Sequence, residues 1–244
     1  MKITEYFDRV YVLTLERRVD RRMAFLETNK ATSLVDQSTD LPAKIPRLAF
    51  NCQWVCGYDR PVHNIEDPVS RPNGNFGCTA SHRRVMELIL AHGVQRALVL
   101  EDDAVPAWTS AARTKRVDVD TLFAKSIDQV PKDWGLLYLG GHYAEVPQKR
   151  IGPNVIRTGR MLTTSSYGIT YRQAERMAPH IGGIGPIDNL FWPFNRVDPC
   201  YILEPRLFIQ AAGHSDLHES FQNYEGAMMD PNHVRALDAG RQSL

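Results

Sequence analysis

Ala97-Leu98-Val99-Leu100-Glu101-Asp102-Asp103 is the stretch on which the reading of this chain turns. Four consecutive apolar residues read as a buried strand. Such strands normally end in turn residues. This one ends in three acids, whose charges repel one another unless a cation or hydrogen bonds offset them. Mg²⁺ and Mn²⁺ prefer carboxylate oxygens and also hold substrate phosphates. If the chain stays extended, Glu101 and Asp103 point to one face and Asp102 to the other. In α/β sheets, ligands gather at the carboxyl ends of strands, where this triplet sits. The bland alternative is a solvated acidic turn. Taken alone, the triplet would also suit a phosphatase or nuclease metal site.

Upstream, the spacing of Val85, Leu88 and Ile89 predicts a helix over 81–92, with Thr79 or Ser81 as cap and Gly93 as its end. Further back, Val10-Tyr11-Val12-Leu13-Thr14-Leu15 reads as another buried strand, followed by the basic turn Glu16-Arg17-Arg18-Val19-Asp20-Arg21-Arg22 and a helix. Strand, turn and helix in that order open an α/β unit. Residues 29–75 carry weak apolar periodicity and read as loop with one or two short strands, such as 48–50. Downstream, helices are expected near 119–127 and 172–180. Strands are expected at 134–139, 155–156, 165–171, 201–203 and 207–210. The tail after Gly213 is polar and poorly patterned, and its end is expected to be disordered.

Composition narrows the function classes. The formal net charge of +1 argues against charge-driven binding to nucleic acid or membrane. The local basic runs Arg83-Arg84 and Lys115-Arg116 keep DNA open as a partner. Cys52, Cys56, Cys78 and Cys200 lack a zinc-ribbon spacing and are expected to be reduced thiols. Residues 1–9 lack the order of a signal peptide, and no apolar run approaches the roughly 20 residues that span a bilayer. The expectation is a cytoplasmic protein, soluble or peripheral to the inner face of a membrane.

Three motifs, taken in order, carry a resemblance. They are 10–22 as quoted above, Phe76-Gly77-Cys78-Thr79-Ala80-Ser81-His82, and Leu98-Val99-Leu100-Glu101-Asp102-Asp103-Ala104. At these separations they resemble glycosyltransferase family 25, which includes bacterial lipopolysaccharide glycosyltransferases and collagen galactosyltransferases. Weaker echoes follow at Leu137-Tyr138-Leu139-Gly140, Ser166-Tyr167-Gly168, Pro186-Ile187-Asp188, and Pro205 with Gln210. The resemblance runs from about residue 8 to about residue 215. It implies a single GT-A type domain over 1–215, a Rossmann-like mixed sheet flanked by helices. The donor-binding half would be about 8–105 and the acceptor half about 130–215. The tail 216–244 would be partly disordered or packed on the site. A nucleotide-sugar donor, UDP-hexose above all, is implied, with Mn²⁺ (or Mg²⁺) and inversion at the anomeric carbon. The family often has Asn where Thr14 stands, and 29–75 match poorly.

Roles follow from type and place. Glu101 and Asp103 are candidate metal ligands, with Asp102 on a ribose or a basic side chain. If the strand ends early, the roles of Glu101 and Asp102 exchange. Leu13 and Thr14, at the end of the first strand, are candidate donor contacts. Arginine forks suit a diphosphate, and Arg18 with Arg22 is the favoured pair because they share a face if the helix starts early. Ser81 is a candidate donor contact or a plain cap. Asp188, after a glycine-rich turn and beside aromatics, is the candidate general base, against the alternative of a turn aspartate. The resemblance to GT-A enzymes, some of which complete the metal site with a C-terminal histidine, implies His214 or His218 as a further ligand, and His218 is the choice. Cys78 is read as packing beneath the site, and His82 as structural. The acceptor is expected to be a lipopolysaccharide or other glycan sugar ahead of a modified DNA base or a protein hydroxyl. Readings from other classes are a metal-dependent phosphoesterase or nuclease, and a non-catalytic sugar-nucleotide-binding module.

Overall fold

The computed structural model describes residues 1–36, 47–58, 75–107, 116–143, 149–182, 185–216 and 220–229. The first half runs α1 (Ile3–Tyr6), β1 (Arg9–Thr14), α2 (Val19–Asn29), β2 (Cys52–Cys56), α3 (Asn75–Ala91), β3 (Arg96–Glu101), β4 (Ala104–Pro106) and α4 (Val119–Ile127). Next come β5 (Leu136–Tyr138), β6 (His142–Tyr143), β7 (Lys149–Gly152), β8 (Val155–Arg157), β9 (Met161–Leu162), β10 (Ser166–Thr170) and α5 (Tyr171–Met177). The chain continues through α6 (Ile187–Val197), β11 (Cys200–Leu203), β12 (Phe208–Gln210), β13 (Gly213–Ser215), β14 (Ser220–Gln222) and α7 (Glu225–Met229).

Eight strands form one mixed sheet in the order β2-β1-β3-β10-β5-β11-β8-β7. β2, β1 and β3 are mutually parallel, and β10 enters antiparallel between β3 and β5. Alternation along the strands feeds two cores. Tyr11, Leu13, Ala97 and Val99 pack under Val85, Met86 and Ile89 of α3, Met177 of α5 and Phe191 of α6. Val10, Val12, Leu98 and Leu100 pack on the other face with Ile3, Phe25 of α2 and Phe123 of α4. Helices on both faces of the sheet force the continuous apolar run at 97–100. The fold is therefore the expected α/β class, a mixed sheet flanked by helices. Among the described residues, no helix is long and apolar enough to cross a membrane.

Several boundaries differ from expectation, each for a local reason. Helix α3 begins at Asn75, not at 81. Ser81 is inside it and donates to the Gly77 carbonyl at 2.6 Å, a bond to the preceding turn that replaces a cap. Gly77 lets this early turn approach the Tyr58 backbone, because a Cβ there would lie 2.7 Å from the Tyr58 carbonyl oxygen. In 48–50 only an isolated bridge between Val35 and Leu48 forms; the strand is Cys52–Cys56, paired with β1. After Gly213 the chain forms the β13–β14 hairpin and α7, whose Met228 is buried against Ile209 and Val105. Residues 230–244, and with them the end of the tail, lie outside the described residues. All four cysteines are free thiols.

β4 leaves the main sheet to pair antiparallel with β12, so the triplet bridges two sheets. Gly140 is required at the crossing. A Cβ there would meet the Phe208 carbonyl oxygen and Ser166 Oγ, each at 2.5 Å. Gly140→Ala is expected to cost roughly 1–3 kcal/mol of overpacking strain. A urea midpoint that falls at unchanged slope would show it; an unshifted midpoint would count against this packing account.

Candidate active site

β1 and β3 run in parallel and end together, with Leu13 opposite Glu101 in register. That register sets Thr14 beside Asp102, and Thr14 Oγ1 donates to Asp102 Oδ2 at 2.7 Å. β2 ends at Cys56, opposite Thr14. There Gly57 N donates to the Thr14 carbonyl at 2.7 Å, and Tyr58 N donates to Ser81 Oγ at 2.9 Å. The ends of three parallel strands and the start of α3 thus form one ledge, where α/β folds take their ligands.

β3 stops at Glu101, and Asp102 and Asp103 form a turn. The three acids still diverge. Glu101 keeps the parity of Ala97 and Val99, so it faces α3, and its Oε1 lies 3.4 Å from both His82 Nε2 and Thr164 Oγ1. Asp102 is buried and turns to Thr14 and to Arg21, whose Nη1 donates to Asp102 Oδ1 at 3.0 Å. Asp103 Oδ2 accepts from Gln210 Nε2 at 3.1 Å and from Arg21 Nη1 at 3.4 Å. The Asp103 carbonyl accepts from Ala211 N at 2.8 Å. Asp103 Oδ1 is buried and has no hydrogen-bond partner among the described residues.

The charges explain what this arrangement lacks. Burial, then Glu101, then Asp102 push the Asp103 carboxyl up to about 7, against Arg21 and Gln210. Burial also raises Asp102, opposed by Arg21 and Thr14. For Arg21, burial works against the charge, but Asp103 and Asp102 outweigh it. One guanidinium therefore serves two buried carboxylates beside a third, and the cluster is short of positive charge. A divalent ion would supply that charge and occupy the orphaned Asp103 oxygen, so the residues present fit Mn²⁺ or Mg²⁺.

The structure brings some of the sequence candidates together and leaves others apart. Leu13 is buried in the α3-side core, so only its backbone reaches the ledge. Arg18 is the N-cap of α2, ion-paired to Asp20 and Asp216. Arg22 donates to the carbonyls of Leu15 (3.1 Å) and Glu16 (3.0 Å) and so closes the turn after β1. The arginine that reaches the acids is Arg21, which helical spacing alone ranks behind them. Asp216, beyond the reach of any local pattern, neutralises Arg17 and Arg18. Arg21 Nη2 also donates to the His214 carbonyl at 2.5 Å, while the His214 side chain is exposed. His218 lies outside the described residues. Gln210, named in the sequence only as an echo of the family, proves to be a direct partner of Asp103.

Asp188 stands in the first turn of α6, half-buried, with its Oδ1 accepting from Asn189 N at 2.8 Å. The charge of Asp188 acts on the Cys78 thiol of α3, as do those of Glu101 and Asp103. Burial drives that thiol well above its ordinary range, and the charges of Glu101, Asp188 and Asp103 add to the shift. Thr79 Oγ1 donates to the Gly185 carbonyl at 3.1 Å, tying the start of α3 to the turn that carries Asp188. Trp192, one turn further along α6, lies under the guanidinium of Arg160 at 4.8 Å from its ring centroid.

A scan against protein-family models finds no match. Curated proteins do match. Procollagen galactosyltransferase 2 of Homo sapiens is 28% identical over 197 residues, 75% of this chain. The inactive glycosyltransferase 25 family member 3 of Mus musculus is 26% identical over 180 residues, 70% of this chain. Its curated homologues are members of glycosyltransferase family 25. The chain spans under a third of these relatives, 29% of the human protein and 28% of the mouse one. A solved glycosyltransferase involved in glycosylation of the major capsid of PBCV-1 is similar over 86% of this chain and 96% of its own, at 10% identity and a TM-score of 0.40. The curated relatives thus include proteins named as galactosyltransferases and proteins named as inactive family-25 members.

Proposed function

We propose that the chain is a metal-dependent glycosyltransferase of GT-A type that moves a hexose from a UDP-sugar to an acceptor hydroxyl with inversion. The observation that carries this reading is Asp103 Oδ1, a buried carboxylate oxygen with no partner among the described residues, at the shared end of β1 and β3. Asp103 and Glu101 would hold Mn²⁺ or Mg²⁺. When bound, the ion neutralises the leaving diphosphate. Thr14 and Arg21 fix Asp102 at the edge of the ledge, where its remaining acceptor capacity suits a ribose hydroxyl. The Leu13–Thr14 backbone and Ser81, in the second turn of α3, border the same space.

Asp188 is the proposed general base, taking the proton of the acceptor hydroxyl as that oxygen attacks the anomeric carbon. Asn189 N aims its carboxylate. A glycan is the proposed acceptor, as the family-25 resemblance implies. A lipopolysaccharide sugar is the first choice within that class, and a cytoplasmic setting accompanies it.

Thermal stabilisation by a panel of UDP-, GDP- and CMP-sugars with Mn²⁺ tests the reading. A donor at a hundred times its Kd is expected to add about 2.7 kcal/mol, a shift of several degrees, that vanishes with chelator. No shift with any donor would remove the transferase reading. A metal-dependent shift without transfer or donor hydrolysis would instead support a binding module without catalysis.

A further inference from the structure

We propose that Cys78, His82 and Glu101 form a binding site for one borderline-soft divalent cation of the Zn²⁺ class, separate from the hard ion assigned to Asp103. Cys78 and His82 are four residues apart on α3 and so share one helix face. Glu101 meets that face from the end of β3. One ligand atom from each of the three lies within 4.8 Å of the other two. Tetrahedral bonds of about 2.0–2.3 Å place ligand atoms roughly 3.3–3.8 Å apart.

The second, independent observation is the state of His82. The ring is 1% exposed. Its Nδ1 is engaged by the Tyr167 hydroxyl at 2.9 Å, and Tyr167 is fully buried. Its Nε2 is buried, has no hydrogen-bond partner among the described residues, and faces Glu101 Oε1 at 3.4 Å. A structural histidine buried this deeply would use both nitrogens. One nitrogen anchored by a neighbouring group and the other directed at a thiol and a carboxylate is how metal-ligating histidines are held. Sulfur and imidazole also set the preference: Mg²⁺ and Mn²⁺ take oxygen ligands, whereas a Cys-His-carboxylate set selects Zn²⁺-like ions. Three protein ligands leave one position open. Glu101 is common to this site and to the proposed hard-metal site, so a soft ion here would draw Glu101 away from the other. That last consequence rests on the transferase reading; the site itself does not.

Co²⁺ is the probe, titrated into the full chain and followed by absorption, where a thiolate ligand gives a charge-transfer band. The expected result is one Co²⁺ per chain with a thiolate band that excess Mg²⁺ does not displace. Cys78→Ser should remove the band and weaken binding at least about tenfold, and Tyr167→Phe should keep the band and weaken binding about 10- to 100-fold. Cys52→Ser and Cys56→Ser should change nothing. Absence of the band in the folded native chain would overturn the proposal, whether or not any variant folds. So would a band that survives Cys78→Ser or is lost in Cys56→Ser. A thiolate band in a chain that transfers no sugar upholds this site and removes the transferase reading; transfer without the band does the reverse.

Discussion

Asp103→Asn is expected to lower metal-dependent transfer by about 10³-fold or more, equivalent to roughly 4 kcal/mol of transition-state stabilisation. The side chain keeps its shape, and the amide oxygen can still accept from Gln210. What disappears is the charge that would hold the ion. The fold should not suffer. Asp103 is crowded by Glu101 and Asp102, and burial with those charges lifts its carboxyl to about 7. A carboxyl raised in the folded state destabilises the fold once ionised. That cost begins to build above its ordinary value near 3.8 and is complete above about 7. Without metal, the variant should therefore match the native chain near pH 4 and equal or exceed its stability at pH 8. Melting curves at the two pH values, beside initial rates with Mn²⁺, would show lost activity with retained or increased stability. Lost activity with lost stability would make Asp103 structural.

Asp188→Asn should slow transfer about 10²- to 10⁴-fold, the usual weight of a general base, while leaving donor binding intact. The substitution is close to isosteric. The amide oxygen of the new side chain would still accept from Asn189 N, so α6 should start as before. What is lost is the group that takes the acceptor proton. The check is a comparison of kcat with the donor-induced thermal shift in the same variant. A reduced kcat beside an unchanged shift is the expected pattern. Full turnover would remove Asp188 from the mechanism, and loss of both would place it in donor binding.

How far the sequence went can be read from particular residues. The apolar run at 97–100 and the acids after it marked both the strand and its end, because burial on two faces leaves a continuous pattern. Parity along that strand set Glu101 apart from Asp102, but the chain turns after Glu101, and Asp103 joins Asp102 on Arg21 instead of sharing the face of Glu101. The arginines were harder. Their ranking depended on where α2 begins, and Arg18 is its cap, outside the helix phase that the spacing argument requires. The ion pairs that occupy Arg18 come in part from Asp216, a partner 198 residues away. No local pattern encodes such a contact. Cys52–Cys56 escaped notice because a short strand at the sheet edge buries only Val55 fully and shows no clear alternation. The early start of α3 was hidden by Gly77, Thr79 and Ser81, residues that usually mark a helix end. Here the close approach of Tyr58 and bonds to Gly77 and Gly185 account for all three.

The central claim is that the triplet holds a metal and a donor diphosphate together. Calorimetric titration of Mn²⁺ with and without a nucleoside diphosphate tests it most directly, with UDP, GDP and CDP each tried. If the ion held by Asp103 also holds the diphosphate, each ligand must raise the other's affinity by the same factor, expected to be about tenfold or more for one of the nucleotides. Asp103→Asn should abolish the coupling. Mn²⁺ binding that none of the three nucleotides changes would contradict the account.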